Sequence, residues 1–149
     1  MKLAEALQER ADLNRKIDQL KYRMETNALV QEGESPSEDP YELKKELDEA
    51  AARLEELITS INLTNAKTVT EGKTLTAWIS HRDVLTRQIA VYNDLIDAAS
   101  RTAQRATRSE IRILSAVDVK QLRKETDALS AELRRTDALI QAANWTIDL

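Results

Sequence analysis

A row of four arginines contains the residues of this sequence that could bind an anionic ligand: Arg101, Arg105, Arg108 and Arg112. Their spacing of four, three and four residues places them on one face of a helix, provided that the helix continues through all of them. A row of guanidinium groups could contact successive phosphates, so this stripe is a candidate nucleic-acid site. However, no aromatic residue is interleaved for base stacking, and the net charge of the chain is -4. We therefore favour contact between the stripe and an acidic segment of the same or another subunit, with nucleic-acid binding as the alternative.

The only histidine, His81, lies in the sequence Ser80-His81-Arg82-Asp83. A His-Arg-Asp triplet occurs in the catalytic loop of protein kinases, but here it lies early in a predicted helix and no glycine-rich loop accompanies it. No serine lies in a Gly-x-Ser-x-Gly turn, and two glycines are too few for a phosphate-binding loop. We expect no catalytic residues and a protein that is not an enzyme.

Metal ligands are equally sparse in the sequence. One His and no Cys leave only carboxylates, and the acidic residues Glu32, Glu34, Glu38 and Asp39 have the spacing of no known calcium loop. The Glu-x-x-His motif of metal-binding four-helix bundles is missing. We interpret the acidic residues as a solvated connection and expect neither a metal nor a cofactor.

Four stretches of the chain carry apolar residues at alternating spacings of three and four, and the helix breakers Gly33, Pro36, Pro40 and Gly72 all lie between them. This pattern predicts a mainly α protein of four long amphipathic helices that form antiparallel hairpins or a bundle. We expect one domain, 1–149, with helices at about 2–30, 40–62, 75–106 and 119–144. Asp39 and Asp118 are the expected N-caps of the second and fourth helices.

Three short pieces break the helical pattern, because their β-branched residues alternate: 68–70, 110–114 and 145–149. These pieces predict short β structure near the loops and the C-terminus, and they could pair into a small sheet. On the outer helix faces, an acid precedes a base by four residues at four places, which favours local ion pairs. These pairs are Asp12 with Lys16, Glu49 with Arg53, Asp83 with Arg87, and Asp97 with Arg101.

Three polar residues interrupt the apolar seams of the predicted helices, namely Arg10, Asn27 and Arg82. A polar seam residue can determine register and oligomeric state at a cost in stability. The alternative is that these residues lie at a frayed or solvent-open edge. Segment 32–56 is acidic and segment 101–135 is basic, which also favours self-association. We therefore expect a coiled-coil homo-oligomer, and the sequence names no other protein partner. We expect Asn27→Leu to keep or raise the melting temperature while broadening the distribution of oligomers.

The first residues, Met1-Lys2-Leu3-Ala4-Glu5, do not form the apolar core of a signal peptide. No apolar run approaches the roughly 20 residues that a membrane helix needs. We therefore expect a cytoplasmic protein without a membrane span, and the missing cysteines fit a reducing compartment.

Five segments together resemble a family of small bacterial proteins known as septicolysin: Met1–Leu7, Asn27–Glu34, Ile61–Asn65, Ser109–Ile111 and Gln141–Trp145. The likeness spans essentially the whole chain, and its motifs lie at loops and helix ends. The family name implies a cytolysin, although the function of the family is uncharacterised. From the residues we expect a non-enzymatic, self-associating interaction or scaffold protein, with nucleic-acid binding or cytolysin-like membrane lysis as alternatives.

Overall fold

The computed structural model describes residues 1–101 and 111–149. It contains four helices, α1 (Leu3–Thr26), α2 (Pro40–Lys67), α3 (Leu75–Ala99) and α4 (Val119–Thr146), and two strands, β1 (Val69–Thr70) and β2 (Lys73–Thr74). The predicted mainly α fold class is confirmed. The chain divides into a terminal unit, Met1–Thr68 with Ala143–Leu149, and a central unit, Val69–Ala142.

In the terminal unit, α1 and α2 form the predicted antiparallel hairpin. Two ion pairs cross between the helices, Glu9 with Arg53 and Lys16 with Glu46. A third joins Arg23 of α1 to Glu38, which lies just before α2. As the residue number rises along α1, that of the partner falls, so the two helices are antiparallel. The buried residues of the two helices are aliphatic seam residues, namely Leu3, Ala6, Leu20, Leu43, Ala50, Leu57 and Ile61. The predicted N-cap of α2 is confirmed, because the Asp39 carboxylate accepts a hydrogen bond from the Tyr41 N–H at 2.9 Å.

Two helix ends differ from the prediction. The first helix ends at Thr26 rather than near residue 30, because Asn27 leaves the helical conformation and caps it. The second helix continues to Lys67 rather than stopping near residue 62. Ile61 is buried in the terminal unit, and its packing outweighs the poor helix propensity of the polar residues that follow it.

The C-terminal residues pair with the N-terminus inside the terminal unit. The Leu3 N–H donates to the Ile147 carbonyl and the Leu149 N–H donates to the Met1 carbonyl, each at 2.9 Å. Lys2 Nζ lies 2.9 Å from an Asp148 carboxylate oxygen. The last alternating piece, 145–149, is therefore extended only in part: residues 145 and 146 end α4, and Asp148 forms an isolated β-bridge with Lys2 of the N-terminus.

In the central unit, β1 and β2 form a tight antiparallel hairpin in which Val69 pairs with Thr74 and Thr70 with Lys73. Glu71 and Gly72, the two loop residues, have φ angles of 46° and 79°. Positive φ at both positions is the signature of a type I′ turn. The predicted β structure near 68–70 is confirmed. The prediction for 110–114 is wrong over its described residues, since 111–114 form no strand there.

The remaining helices of the central unit follow the predicted seams. α3 starts after Thr74, whose hydroxyl accepts a hydrogen bond from the Ala77 N–H at 3.2 Å. Asp118 caps α4 as predicted by accepting from the Gln121 N–H at 3.0 Å. The buried residues of the two helices within this unit are Leu75, Leu85, Ile96, Thr126, Thr136 and Ile140.

Candidate interaction surfaces

The first residue of the arginine row lies just beyond the end of α3. The helix ends at Ala99, where both the N–H and the hydroxyl of Ser100 donate to the Ile96 carbonyl, at 3.0 and 2.7 Å. The predicted end near residue 106 lies outside the described residues, and Arg101 lies beyond the described end of α3. Arg101 and Arg112 are exposed, the latter in an irregular segment, while Arg105 and Arg108 lie outside the described residues.

Asn27 has a local role at the end of α1. Its side-chain amide donates to the Arg23 carbonyl at 2.9 Å, and its side-chain carbonyl accepts from the Glu38 N–H at 3.0 Å. The amide thus joins the last turn of α1 to the loop that leads into α2. Beside it, Arg23 Nε donates to a Glu38 carboxylate oxygen at 3.0 Å, and this pairing lowers the pKa of Glu38.

The two other polar seam residues have different surroundings. Arg82 lies 2.9 Å from the neighbouring Asp83 carboxylate and 3.9 Å from that of Asp137, so it connects α3 with α4. Arg10 is half-buried on α1, and its guanidinium forms no ion pair among the residues that the structure describes. A role of Arg10 and Arg82 in assembly stays a prediction.

A polar cluster joins the β-hairpin, α3 and α4 of the central unit. His81 Nε2 lies 3.2 Å from a Glu132 carboxylate oxygen, and the Trp78 ring meets the His81 ring edge to face at 6.1 Å between centroids. Trp78 Nε1 donates to the Thr70 carbonyl at 2.9 Å, and Lys73 Nζ lies 4.7 Å from the Trp78 ring centroid. The Trp78 N–H, the His81 Nε2 and the Lys73 ammonium each have a partner within the unit, which is typical of a cluster that stabilises packing.

The outer face of α3 carries a second apolar stripe, which we call the α3 ridge: Val84, Gln88, Val91 and Leu95. These residues repeat every three or four positions, and the side chains of Val84, Val91 and Leu95 are 63%, 57% and 40% exposed. The sequence contained the signal for this ridge as a three-four spacing offset from the seam, but our prediction considered the seam alone. Beyond Leu95 the apolar surface continues into an open cavity of about 380 Å³ lined by Ala98, Ile113, Leu114 and Val117 among others.

The α3 ridge lies on the least charged helix of the chain. Five of the 25 residues of α3 are Asp, Glu, Lys or Arg, against ten of 24 in α1. Despite this composition, only Leu75, Leu85 and Ile96 of α3 are buried. The helix therefore leaves apolar surface in solvent that its sequence is suited to bury.

Comparison with known proteins places the chain in a family. A family of unknown function, DUF6847, matches residues 10–149. The chain belongs to this family. Its structure is similar to the crystal structure of a functionally unknown conserved protein from Corynebacterium diphtheriae, with 39% sequence identity and a TM-score of 0.89 over 100% of this chain and 98% of that one. No curated protein matches the sequence.

A cluster of possible metal ligands and a membrane-spanning helix are both absent from the described residues of this DUF6847 member. Among residues 1–101 and 111–149, no three His, Cys, Asp or Glu side chains come together as a possible metal site. None of the described helices is both long and apolar enough to cross a membrane.

Proposed function

We propose that this protein is a non-enzymatic helical interaction or scaffold protein that self-associates through the α3 ridge. The observation that carries the proposal is the exposed apolar row Val84, Val91 and Leu95 on the helix with the fewest charges. Its cytoplasmic location, expected from the sequence, is part of the proposal.

The position of the ridge on α3 supports a second helical neighbour. The predicted seam includes Leu85 and Ile96, which are buried, and Arg82, which contacts α4 through Asp137. At 3.6 residues per turn, the centre of the ridge lies about 110° around the helix axis from the centre of this seam. A helix with two separate apolar stripes typically packs on two sides. One stripe faces the interior of the central unit, and the other is available to a partner.

Covering the apolar side chains of the ridge would contribute favourably to association. Burial of apolar surface contributes roughly 25 cal/mol per Å², and specific protein interfaces bury about 1,200 to 2,000 Å² in total. The adjoining apolar cavity beyond Leu95 enlarges the surface available for such an interface. We therefore expect the interface to centre on α3 and to extend toward the segment before α4.

Light scattering coupled to size exclusion tests the proposal. At tens of micromolar the wild-type chain is expected to be a dimer or larger, and Val91→Glu is expected to shift it to the monomer. Tyr41→Glu is the control, because Tyr41 is 82% exposed and belongs to α2 rather than to the ridge. A wild-type chain that is strictly monomeric under these conditions overturns the proposal.

The two alternatives from the sequence have separate tests. Binding of RNA or DNA through Arg101, Arg105, Arg108 and Arg112 requires an affinity that falls steeply with salt. Membrane lysis, which the septicolysin resemblance implies, requires dye release from anionic liposomes. We expect neither activity. Salt-dependent binding that Arg105→Ala with Arg108→Ala weakens, or release by the wild-type chain, would replace the scaffold proposal.

A further inference from the structure

We propose that the α3 ridge pairs with the same ridge of a second copy in an antiparallel, two-fold arrangement, in which Arg87 of each copy faces Asp94 of the other. This inference rests on the proposed function and names its partner and geometry. It follows from the spacing of the ridge and from two exposed charges beside it.

The ridge is symmetric along the helix. Its four positions, 84, 88, 91 and 95, are arranged evenly about the point between residues 89 and 90. In an antiparallel pair centred there, Val84 lies opposite Leu95 of the other copy, and Gln88 lies opposite Val91. In a parallel pair, each Gln88 would lie against the other Gln88 at the centre of the interface. The antiparallel arrangement therefore places an apolar residue in every opposing pair.

Two charges select the same arrangement. Arg87 and Asp94 are seven residues apart, so both lie on the same side of the ridge, and both are exposed. An antiparallel pair brings Arg87 of each copy to Asp94 of the other, which forms two equivalent ion pairs. In a parallel two-fold pair the same flank of the two copies lies on opposite sides of the interface, so Arg87 of one copy does not reach Asp94 of the other. The charges thus complement a second copy in one orientation only.

Both charges are available for such a contact. Among the described residues, neither Arg87 nor Asp94 forms an ion pair within the chain. The sequence predicts Asp83 as the partner of Arg87, but that prediction is wrong: the Asp83 carboxylate accepts two hydrogen bonds from Arg82, at 2.9 and 3.0 Å. The pairing of Arg82 with Asp83 therefore leaves Arg87 beside the ridge without a local partner.

Charge reversal tests the pairing. Arg87→Asp and Asp94→Arg are each expected to weaken self-association about tenfold, because each turns two attractive pairs into repulsive ones. The double variant is expected to restore the wild-type dissociation constant. Asp97→Arg is the matched control, since Asp97 is exposed on α3 but lies away from the flank of the ridge. Circular dichroism verifies that each variant keeps its helices.

Cysteine cross-linking tests the orientation independently, and the chain has no native cysteine to interfere. Mixing Val84→Cys with Leu95→Cys chains is expected to give a mixed disulfide dimer. Each variant alone is expected to cross-link poorly, because the two identical positions lie about 16 Å apart along an antiparallel pair, beyond the reach of a disulfide. Efficient cross-linking of each variant to itself, without the mixed dimer, overturns the antiparallel arrangement.

The outcomes separate this inference from the proposed function. A monomeric wild-type chain overturns both. A wild-type oligomer that Val91→Glu dissociates, but whose charge variants are not rescued by the double exchange, supports the ridge as the interface and overturns the Arg87 and Asp94 pairing. An oligomer that Val91→Glu leaves intact places the interface elsewhere and overturns both the ridge and its pairing.

Discussion

Arg53 of α2 binds Glu9 of α1 through two parallel hydrogen bonds, from Nε to Oε1 at 2.7 Å and from Nη2 to Oε2 at 3.0 Å. A planar guanidinium matches a carboxylate in this two-bond geometry, which is more directional than a single contact between point charges. The hydrogen bond from Arg53 holds the pKa of Glu9 below its ordinary value. The pair crosses the antiparallel hairpin and so reports on the packing of α1 against α2.

The first prediction concerns stability in acid. The pKa of Glu9 is lowered by Arg53 and that of Glu38 by Arg23, so both carboxylates bind protons more readily in the unfolded chain. Their contribution to the free energy of unfolding is fully present above the ordinary carboxyl pKa of about 4.3, and it is lost as the pH falls below that value toward the lowered pKa. We expect the urea midpoint of the wild-type chain to fall as the pH is lowered through about 4.3 toward the lowered pKa values of Glu9 and Glu38.

Substitution identifies the groups responsible for this acid dependence. Glu9→Gln with Glu38→Gln is expected to lower the midpoint at pH 7 and to flatten its fall in acid. Glu34→Gln is the control, because Glu34 is an exposed loop residue without an ion pair in the described chain. A double variant with the full acid dependence of the wild type would show that other carboxylates control it.

The second prediction concerns a buried hydroxyl on α4. Thr136 is 1% exposed, and its Oγ1 has no hydrogen-bond partner in the described part of the chain. Thr126, also buried on α4, donates its hydroxyl to the Leu122 carbonyl at 2.7 Å. An unsatisfied buried polar group costs about 1 to 3 kcal/mol. Thr136→Val is therefore expected to raise the free energy of unfolding by about 1 kcal/mol, as measured in urea.

Thr126→Val is the matched control for Thr136→Val, since it removes a hydroxyl that has a partner. We expect no gain in the free energy of unfolding from this substitution. If Thr136→Val were the less stable of the two variants, the hydroxyl of Thr136 would have a partner in solution, such as a buried water.

The third prediction concerns the turn of the β-hairpin. Glu71 has a φ of 46°, which is unfavourable for a residue with a Cβ atom, and Asn-Gly is the preferred pair of a type I′ turn. Glu71→Asn is expected to raise the free energy of unfolding by about 0.5 to 1 kcal/mol. Gly72→Ala is expected to lower it, although no atom lies within 4 Å of the added Cβ, because φ at this position is 79°. Equal stability of the two variants would contradict the assigned turn.

The fourth prediction concerns Asn27, whose contacts reverse what the sequence led us to expect. Its amide joins the Arg23 carbonyl to the Glu38 N–H, both within one chain. Asn27→Leu is expected to lower the free energy of unfolding by about 1 to 2 kcal/mol, because the Glu38 N–H loses its partner and the Arg23 carbonyl loses one of its hydrogen bonds. The subunit number by light scattering is expected to stay that of the wild type. A stable variant with a broadened distribution of oligomers would restore the assembly role.

Much of the fold could be predicted from the sequence because its signals are local. The three-four spacing of apolar residues predicts four helices, and the capping carboxylates of Asp39 and Asp118 mark two of their starts. The alternating β-branched residues of 68–70 predict short β structure there, where the structure has β1. Each of these signals lies within a few residues of the structure that it specifies, so no knowledge of distant segments is needed.

The candidate site was less predictable, because the α3 ridge depends on which face of α3 the folded chain leaves exposed. The sequence pattern places Leu85 and Val84 both on apolar stripes of α3, yet the structure buries the former and leaves the latter 63% exposed. Spacing alone does not state which of two stripes faces the core. The arginine row shows the same limit, since its alignment depends on a helix that ends at Ala99.

The sequence by itself therefore determined the helices, most of their approximate ends and the presence of short β structure near 68–70. Only the tertiary structure decided the partners of the side chains: Arg53 pairs with Glu9 on α1 rather than with Glu49 on its own helix, and Asp83 pairs with Arg82 rather than with Arg87. A long charged side chain reaches several carboxylates at similar cost. Which one it binds depends on the residues that folding brings close from elsewhere in the chain.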